Sequence, residues 1–195
     1  IRSVKSTHDA DGVDWIQWKP DDVDMVKTIQ DAVLERRPRL VLFSLGYSST
    51  HSIPGPETLA RQSRKAEEIR RAREVVQMLK DLVPTHTDFI VEAPAAAEVW
   101  NCREMEALQS AEGLYHLVGD QCMLKPKASF MARPAKTTRY ITSAPNFCGR
   151  LDRRCCGNHA HETLVGGGIW RDRGYRTALV DCAVQASHEL MDLDK

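Results

Sequence analysis

Three short apolar runs alternate along the chain with longer segments in which apolar residues recur at helical spacing. The apolar runs occupy residues 40–44, 88–92 and 114–118, and runs of this length are typical of strands buried on both faces. Helical spacing extends over residues 22–37, 56–82, 97–109 and 175–193. Strands that alternate with amphipathic helices predict a parallel sheet with helices on its faces. The pattern therefore predicts an α/β fold, a Rossmann-like parallel sheet with flanking helices.

Charge and composition divide the chain into three predicted parts. Residues 1–124 form the α/β core, residues 125–170 a basic and Cys/His-rich segment, and residues 171–195 a C-terminal helix that packs on the core. Basic and acidic residues balance over the whole chain, 27 against 27, but residues 125–154 carry eight lysines and arginines and one acid. Such a patch is compatible with phosphate binding. A solvated surface loop is the alternative.

The totals exclude some classes of protein. No apolar run approaches the roughly 18 residues that a membrane-spanning helix needs, and the polar first residues lack the apolar region of a signal peptide. Six cysteines among 195 residues do not make a secreted disulfide scaffold. We therefore expect an intracellular protein, nuclear or cytoplasmic, with no membrane partner. The start at Ile1 suggests that the chain belongs to a larger polypeptide.

A short run in the basic segment combines two cations with two hydroxyl groups. Its members are Lys136, Thr137, Thr138 and Arg139. Cations and hydroxyls are the side chains that contact phosphate oxygens in nucleic-acid complexes, so this run is the candidate nucleic-acid-binding site. The alternation of Thr138, Tyr140 and Thr142 is also typical of an ordinary edge strand, which is the alternative.

Thiols and imidazoles concentrate shortly after the basic run. The candidate metal ligands are Cys148, Cys155, Cys156, His159 and His161. Thiolate and imidazole are the ligands of tetrahedral structural zinc sites, and Gly157 with Asn158 can supply the turn that brings the two histidines together. The spacing from Cys156 to the histidines is not one of the common finger spacings. A polar, hydrogen-bonded cluster without metal is the alternative.

One further thiol follows a predicted strand, at Cys122. A nucleophilic cysteine needs a nearby histidine base and a lowered pKa. His116 lies on the same predicted strand, on the same face but too far along it to help. A thiol enzyme is therefore not the favoured reading.

Several motifs together resemble a known family. The run 40–43 enters Ser44-Leu45-Gly46-Tyr47-Ser48-Ser49, and a second predicted strand ends in Glu92-Ala93-Pro94, followed by Trp100. Further on stand Asp120-Gln121-Cys122, Lys136-Thr137-Thr138, Thr142-Ser143 and Cys156-Gly157-Asn158-His159-Ala160-His161. In this order, over about residues 38–182, they resemble the later part of the catalytic domain of C5-cytosine DNA methyltransferases. The similarity is greatest to the divergent branch found in phages and retroelement polyproteins.

The resemblance implies a site that departs from an active enzyme. Glu92 matches the glutamate that hydrogen-bonds the cytosine base, although a carboxylate that caps the next helix is the alternative. The family's nucleophilic cysteine is matched by Tyr47, which cannot attack the base. The glycine-rich loop that binds S-adenosylmethionine is also missing, since Gly12 alone does not replace it.

Three functions remain open. The favoured hypothesis is a methyltransferase-like domain that lacks methyl transfer and is retained for nucleic-acid binding, with DNA as the partner and zinc as a possible cofactor. The second is an active DNA cytosine-5 methyltransferase whose S-adenosylmethionine-binding half lies upstream of this chain. The third is a structural or interaction subunit that uses the fold as a scaffold.

Overall fold

The computed structural model describes residues 7–8, 14–15, 25–45, 58–82, 87–124, 133–134, 136–162, 179 and 182. The chain forms two compact units, residues 1–38 and 39–195. In the first unit, strand β1 (Thr7–His8) pairs antiparallel with β2 (Asp14–Trp15), and helix α1 spans Met25–Arg36. Arg37 then takes a positive φ of 45°, which ends α1 before Pro38, a residue that cannot continue a helix.

The second unit is built on a sheet of four strands. In space their order is β3 (Leu40–Ser44), β4 (Asp88–Pro94), β7 (Thr137–Thr142) and β5 (Tyr115–Asp120). β3 and β4 are parallel, whereas β7 is antiparallel to both of its neighbours. The α/β class is confirmed, but the sheet is mixed rather than wholly parallel. The expectation of an all-parallel sheet is wrong because β7 pairs antiparallel beside β5, a pairing that needs no crossover helix.

Strand β7 also corrects the reading of the Thr138, Tyr140 and Thr142 alternation as an edge strand. β7 lies between two partners, and these three side chains are at most 1% exposed. Ile141, which points to the opposite face, is 1% exposed as well. Hydroxyl-bearing residues enter this central strand because the hydroxyl groups of the two threonines take part in buried hydrogen bonds.

Helices and short turns connect the strands. The helices of this unit are α2 (Leu59–Leu82), α3 (Arg103–Gln109) and α4 (Cys148–Leu151), and 3-10 turns cover Glu98–Asn101, Gln121–Met123 and Pro145–Phe147. The segment predicted as one helix over 97–109 is interrupted at Cys102, whose backbone is extended. Strand β6 (Arg133–Pro134) pairs in parallel with β8 (His161–Glu162). This pairing joins two parts of the segment predicted over residues 125–170.

Apolar residues are buried on both faces of the sheet. On one face Ile90, Leu117 and Tyr140 belong to a core cluster with Phe147, Leu151, Leu179 and Cys182. Leu179 and Cys182 come from the segment predicted as the last helix, and most of that segment lies outside the described residues. On the other face Phe89, Val91 and Ala93 are at most 1% exposed. Burial on both sides explains why β4 is a continuous apolar run in the sequence.

The carboxyl ends of three strands meet at one edge of the sheet. β3, β4 and β5 run in the same direction because β7 is antiparallel to β4 and to β5. At this edge the N–H of Leu45 donates to the carbonyl of Glu92 at 2.8 Å, and the 3-10 turn after Asp120 begins. Among the described residues, no helix combines the length and the apolar character needed to cross a bilayer.

Candidate metal centre

Four side chains from two distant parts of the chain converge just beyond the end of β5. Cys122, Cys155, His159 and His161 each offer one ligand atom, and these atoms all lie within 4.8 Å of one another. Cys122 belongs to the 3-10 turn after β5, and the other three belong to residues 152–162, which end in the short strand β8. We call these residues the four-residue cluster.

Cys122 is placed by the turn that follows β5. The backbone N–H of Gln121 donates to the carbonyl of Lys136 at 2.9 Å. This bond extends the pairing of β5 with β7 by one residue beyond Asp120 and Thr137. The Gln121 side chain donates to the hydroxyl of Thr138 at 3.1 Å. The N–H of Leu124 closes the turn on the Gln121 carbonyl at 3.1 Å. With both ends of the turn anchored, the Cys122 thiol is directed inward and is 2% exposed.

Residues 151–155 dock against the outer edge of β5. A Cβ atom on Gly119 would lie only 2.0 Å from the carbonyl oxygen of Leu151. Only glycine therefore permits this approach. The N–H of Asp120 donates to the carbonyl of Arg153 at 2.8 Å. The N–H of Cys155 donates to the Asp120 carboxylate at 2.7 Å. These contacts bring Cys155 to the end of the strand that positions Cys122.

Asp120 links the two halves of the site. One carboxylate oxygen accepts from the Thr137 hydroxyl at 2.6 Å, the other from the Cys155 N–H, and Arg154 lies at 3.8 Å. Burial raises the pKa of this carboxyl, but the bonds from Thr137 and Cys155 and the charge of Arg154 outweigh it, so the pKa lies below its usual value. Asp120 is therefore an anion on the side of the cluster nearest to β5.

The distances in the cluster suit a tetrahedral metal ion. The Nε2 atoms of His161 and His159 lie 3.3 and 3.7 Å from the Sγ atom of Cys155. Zinc bonded at its usual lengths to sulfur and nitrogen places neighbouring ligand atoms about 3.3–3.8 Å apart. These two distances already have that size, and the widest separation in the cluster needs to shrink by only about 1 Å.

Local contacts orient both imidazoles. Nδ1 of His159 lies 3.3 Å from the side-chain oxygen of Asn158, which leaves Nε2 directed to the cluster, as in metal sites where the second ring nitrogen has its own partner. The His159 and His161 rings meet edge to face with centroids 4.7 Å apart. Gly157 has a positive φ of 71°, and its N–H donates to Cys155 Sγ at 3.3 Å. The turn expected at Gly157 and Asn158 is therefore present.

The thiol of Cys122 has a raised pKa. Its burial is the main cause, and the neighbouring Cys155 thiol and the Asp120 carboxylate act in the same direction. A thiol in this setting is a poor nucleophile at neutral pH. Bound to a divalent cation, the same thiol loses its proton. The surroundings of Cys122 thus favour metal coordination over thiol catalysis.

Three of the five predicted metal ligands are brought together and two are not. Cys155, His159 and His161 converge, whereas Cys148 begins α4 and packs against the apolar core. Burial raises the pKa of the Cys148 thiol. Cys156 is exposed, and its thiol donates to the Asn158 side chain at 2.7 Å. Neither is a member of the four-residue cluster.

Cys122 joins the four-residue cluster although it was not among the predicted metal ligands. Its position in the sequence suggested only a nucleophile, because a thiol so far from the histidines gives no local spacing pattern. The available signal was its position directly after β5, at the edge where the strand ends converge. The same edge receives residues 151–155, but that docking depends on Gly119 and Asp120 and is visible only in three dimensions.

The other predicted site residues also lie near this edge. The Thr138 hydroxyl is fully buried and accepts from Gln121, and the Thr137 hydroxyl donates to Asp120. Lys136 is partly exposed and Arg139 is exposed. Of the four residues predicted to contact phosphate, the two hydroxyls are thus engaged within the protein, and the two cations face solvent at least in part.

Glu92 is fully buried on β4. Its register partners are Ser44 on β3 and Tyr140 on β7, so it lies in the middle of the sheet close to the carboxyl edge. Tyr47 and Gly12 lie outside the described residues. Comparison with protein-family models, with curated proteins and with solved structures found no match to this chain.

Proposed function

We propose that this domain binds one zinc ion through Cys122, Cys155, His159 and His161, and that the ion has a structural role. The observation that carries the proposal is the convergence of four soft ligand atoms within 4.8 Å. Two thiolates and two imidazoles in tetrahedral arrangement favour zinc among the common divalent ions. Four protein ligands fill the coordination shell and leave no position for water or substrate, as structural sites do.

The ion would fasten residues 152–162 to the end of β5. Most of this segment has no regular secondary structure, and Asp120 at the end of β5 bonds two of its residues, Arg153 and Cys155. Cys122 belongs to the core side of the site and the other three ligands belong to the segment. Binding free energy at such a site contributes directly to folding.

Elemental analysis of the purified protein tests this proposal. We expect about one equivalent of zinc, and much less in Cys122→Ser and in Cys155→Ser, whose three remaining ligands hold the ion only weakly. Cys156→Ser is the matched control, since it changes the neighbouring exposed thiol and should retain the ion. Wild-type protein that purifies without zinc and gains no thermal stability when zinc is added would overturn the proposal.

A second candidate function is that of a methyltransferase-like domain that lacks methyl transfer and binds nucleic acid. The shared carboxyl edge of β3, β4 and β5 supports it, because ligands of open α/β sheets bind at this edge. So does the buried Glu92 near that edge. The partly or fully exposed Lys136 and Arg139 on the neighbouring β7 side would contact the phosphate backbone.

A gel shift with double-stranded DNA at low and moderate salt tests this second function. We expect binding that weakens as salt increases and that is reduced when Lys136 and Arg139 are replaced by alanine. Arg73→Ala on α2 is the control, since it removes an exposed cation elsewhere. If S-adenosylmethionine raises the melting temperature, an active methyltransferase is favoured instead. A flat gel shift at low salt favours an interaction scaffold.

A further inference from the structure

The metal site contains a choice between two adjacent cysteines. Cys155 faces the cluster, whereas the Cys156 thiol is exposed and bonded to Asn158. Both have the chemistry of a zinc ligand, and both stand close in sequence to His159 and His161. Something in the fold must therefore decide which thiol joins Cys122.

The docking of residues 151–155 on β5 determines which thiol faces the cluster. Leu151 anchors this stretch, because it is 1% exposed in the core and its carbonyl lies over Gly119. Two backbone groups beyond it then bond Asp120. The carbonyl of Arg153 and the N–H of Cys155 point to Asp120, whereas Cys156 belongs to the next peptide and its thiol points to solvent.

We infer that Asp120 is the positioning residue that selects Cys155, rather than Cys156, as the second thiolate ligand. The inference rests on the proposed zinc site. The Asp120 carboxylate is the acceptor for the Cys155 N–H itself, so it determines which peptide faces β5 at this point. The Thr137 hydroxyl holds that carboxylate from the β7 side at 2.6 Å. Asp120 acts through Cys155 and does not have to touch the ion.

Removal of the Asp120 carboxylate should allow either Cys155 or Cys156 to bind the ion. In Asp120→Ala the N–H of Cys155 loses its acceptor, and the chain beyond Leu151 can turn so that Cys156 approaches Cys122. Zinc affinity should fall about 10- to 100-fold, as is typical when an outer partner of a metal ligand is removed. The more telling result is the identity of the thiolate ligand, which a merely stabilising contact would not change.

Cobalt(II) substitution of the full chain reports that identity. Thiolate-to-cobalt charge-transfer absorption grows with the number of bound thiolates. With Asp120 present and cobalt in excess, we expect Cys155→Ser to show the band of one thiolate and Cys156→Ser the full band of two. In the Asp120→Ala background, Cys155→Ser should regain the two-thiolate band, because Cys156 takes the vacant position. Asp120→Asn, which keeps an acceptor oxygen, should behave as the wild type.

Failure of the selection and failure of the zinc site give different results. If the wild-type protein binds neither zinc nor cobalt, both proposals are wrong. If it binds cobalt with two thiolates but Asp120→Ala/Cys155→Ser keeps the one-thiolate band, only the selection by Asp120 is wrong.

Should Asp120→Ala not fold, Thr137→Val replaces it, since valine keeps the shape of threonine and removes the hydroxyl that holds Asp120. That variant should regain part of the two-thiolate band with Cys155→Ser, and an unchanged one-thiolate band would overturn the selection.

Discussion

The carbonyl oxygen of Leu151 lies so close to Gly119 that a Cβ atom on residue 119 would be 2.0 Å from it. Backbone cannot yield as the end of a flexible side chain can, so a side chain at this position forces α4 away from β5. Beyond the contact between these two residues, the chain leaves the core and enters residues 152–162, which carry Cys155, His159 and His161. The contact therefore connects core packing to the geometry of the site.

Replacement of Gly119 by alanine should destabilise the domain and weaken metal binding, although neither Gly119 nor Leu151 is a proposed ligand. Overpacking of this kind typically costs about 1–3 kcal/mol and sometimes more. Urea unfolding measures the loss. Gly149→Ala in α4 is the matched control, because a Cβ at Gly149 meets nothing within 4 Å and alanine favours helix. Equal stability of the two variants would contradict the close packing at Gly119.

Removal of the metal should loosen residues 152–162 before the sheet. A ligand present at a thousandfold excess over its Kd stabilises the folded state by about 4 kcal/mol, and chelation withdraws that contribution. Hydrogen exchange with and without a chelator should show the larger acceleration in this segment, while β4, whose partners lie on both sides, remains the slower of the two. Exchange rates that stay the same in the segment would show that it needs no ion.

The cysteines of the metal-free protein should differ in their rate of alkylation at about pH 8, somewhat below the usual thiol pKa. Cys156 is exposed, whereas Cys122 is 2% exposed and has a raised pKa. A raised pKa lowers the thiolate fraction at a given pH, so burial and the raised pKa both slow the alkylation of Cys122. Mass spectrometry after brief iodoacetamide treatment should find Cys156 modified first. Equal labelling of the two would be inconsistent with the burial of Cys122.

Thr142 should be important for stability through its hydroxyl group. The hydroxyl donates to the carbonyl of Phe89 at 2.7 Å and accepts from the N–H of Ala144 at 3.1 Å, and the residue is fully buried. Thr142→Val keeps the shape but leaves buried polar groups without this partner, which costs about 1–3 kcal/mol. Ser110→Ala is the comparison, because its hydroxyl bonds Glu106 on an exposed surface. Thermal melts should separate the two variants by several degrees, at roughly 2–4 °C per kcal/mol for a domain of this size.

Much of the secondary structure follows from local pattern. The run over 40–44 is β3 as predicted, and Asp88–Pro94 and Tyr115–Asp120 extend or shift their predicted runs by one or two residues. The buried polar residues of β7 hid its central place, because threonine alternation is equally typical of an exposed strand. The zinc hypothesis named three of the four converging side chains and could not name the fourth.

The sequence alone determined the α/β class, the approximate limits of β3, β4, β5, α1 and α2, and the concentration of thiols and imidazoles over residues 148–161. These properties are local, since periodicity, turn residues and ligand spacing all act within a short window of the chain. Only the tertiary structure decided that β7 enters the sheet antiparallel between β4 and β5. It also decided that Cys122 joins Cys155, with Cys156 left outside. Both depend on contacts between residues far apart in sequence, such as the bond between Asp120 and Cys155, 35 positions apart. Long-range pairing of this kind is set by how the whole core packs, and no local pattern encodes it.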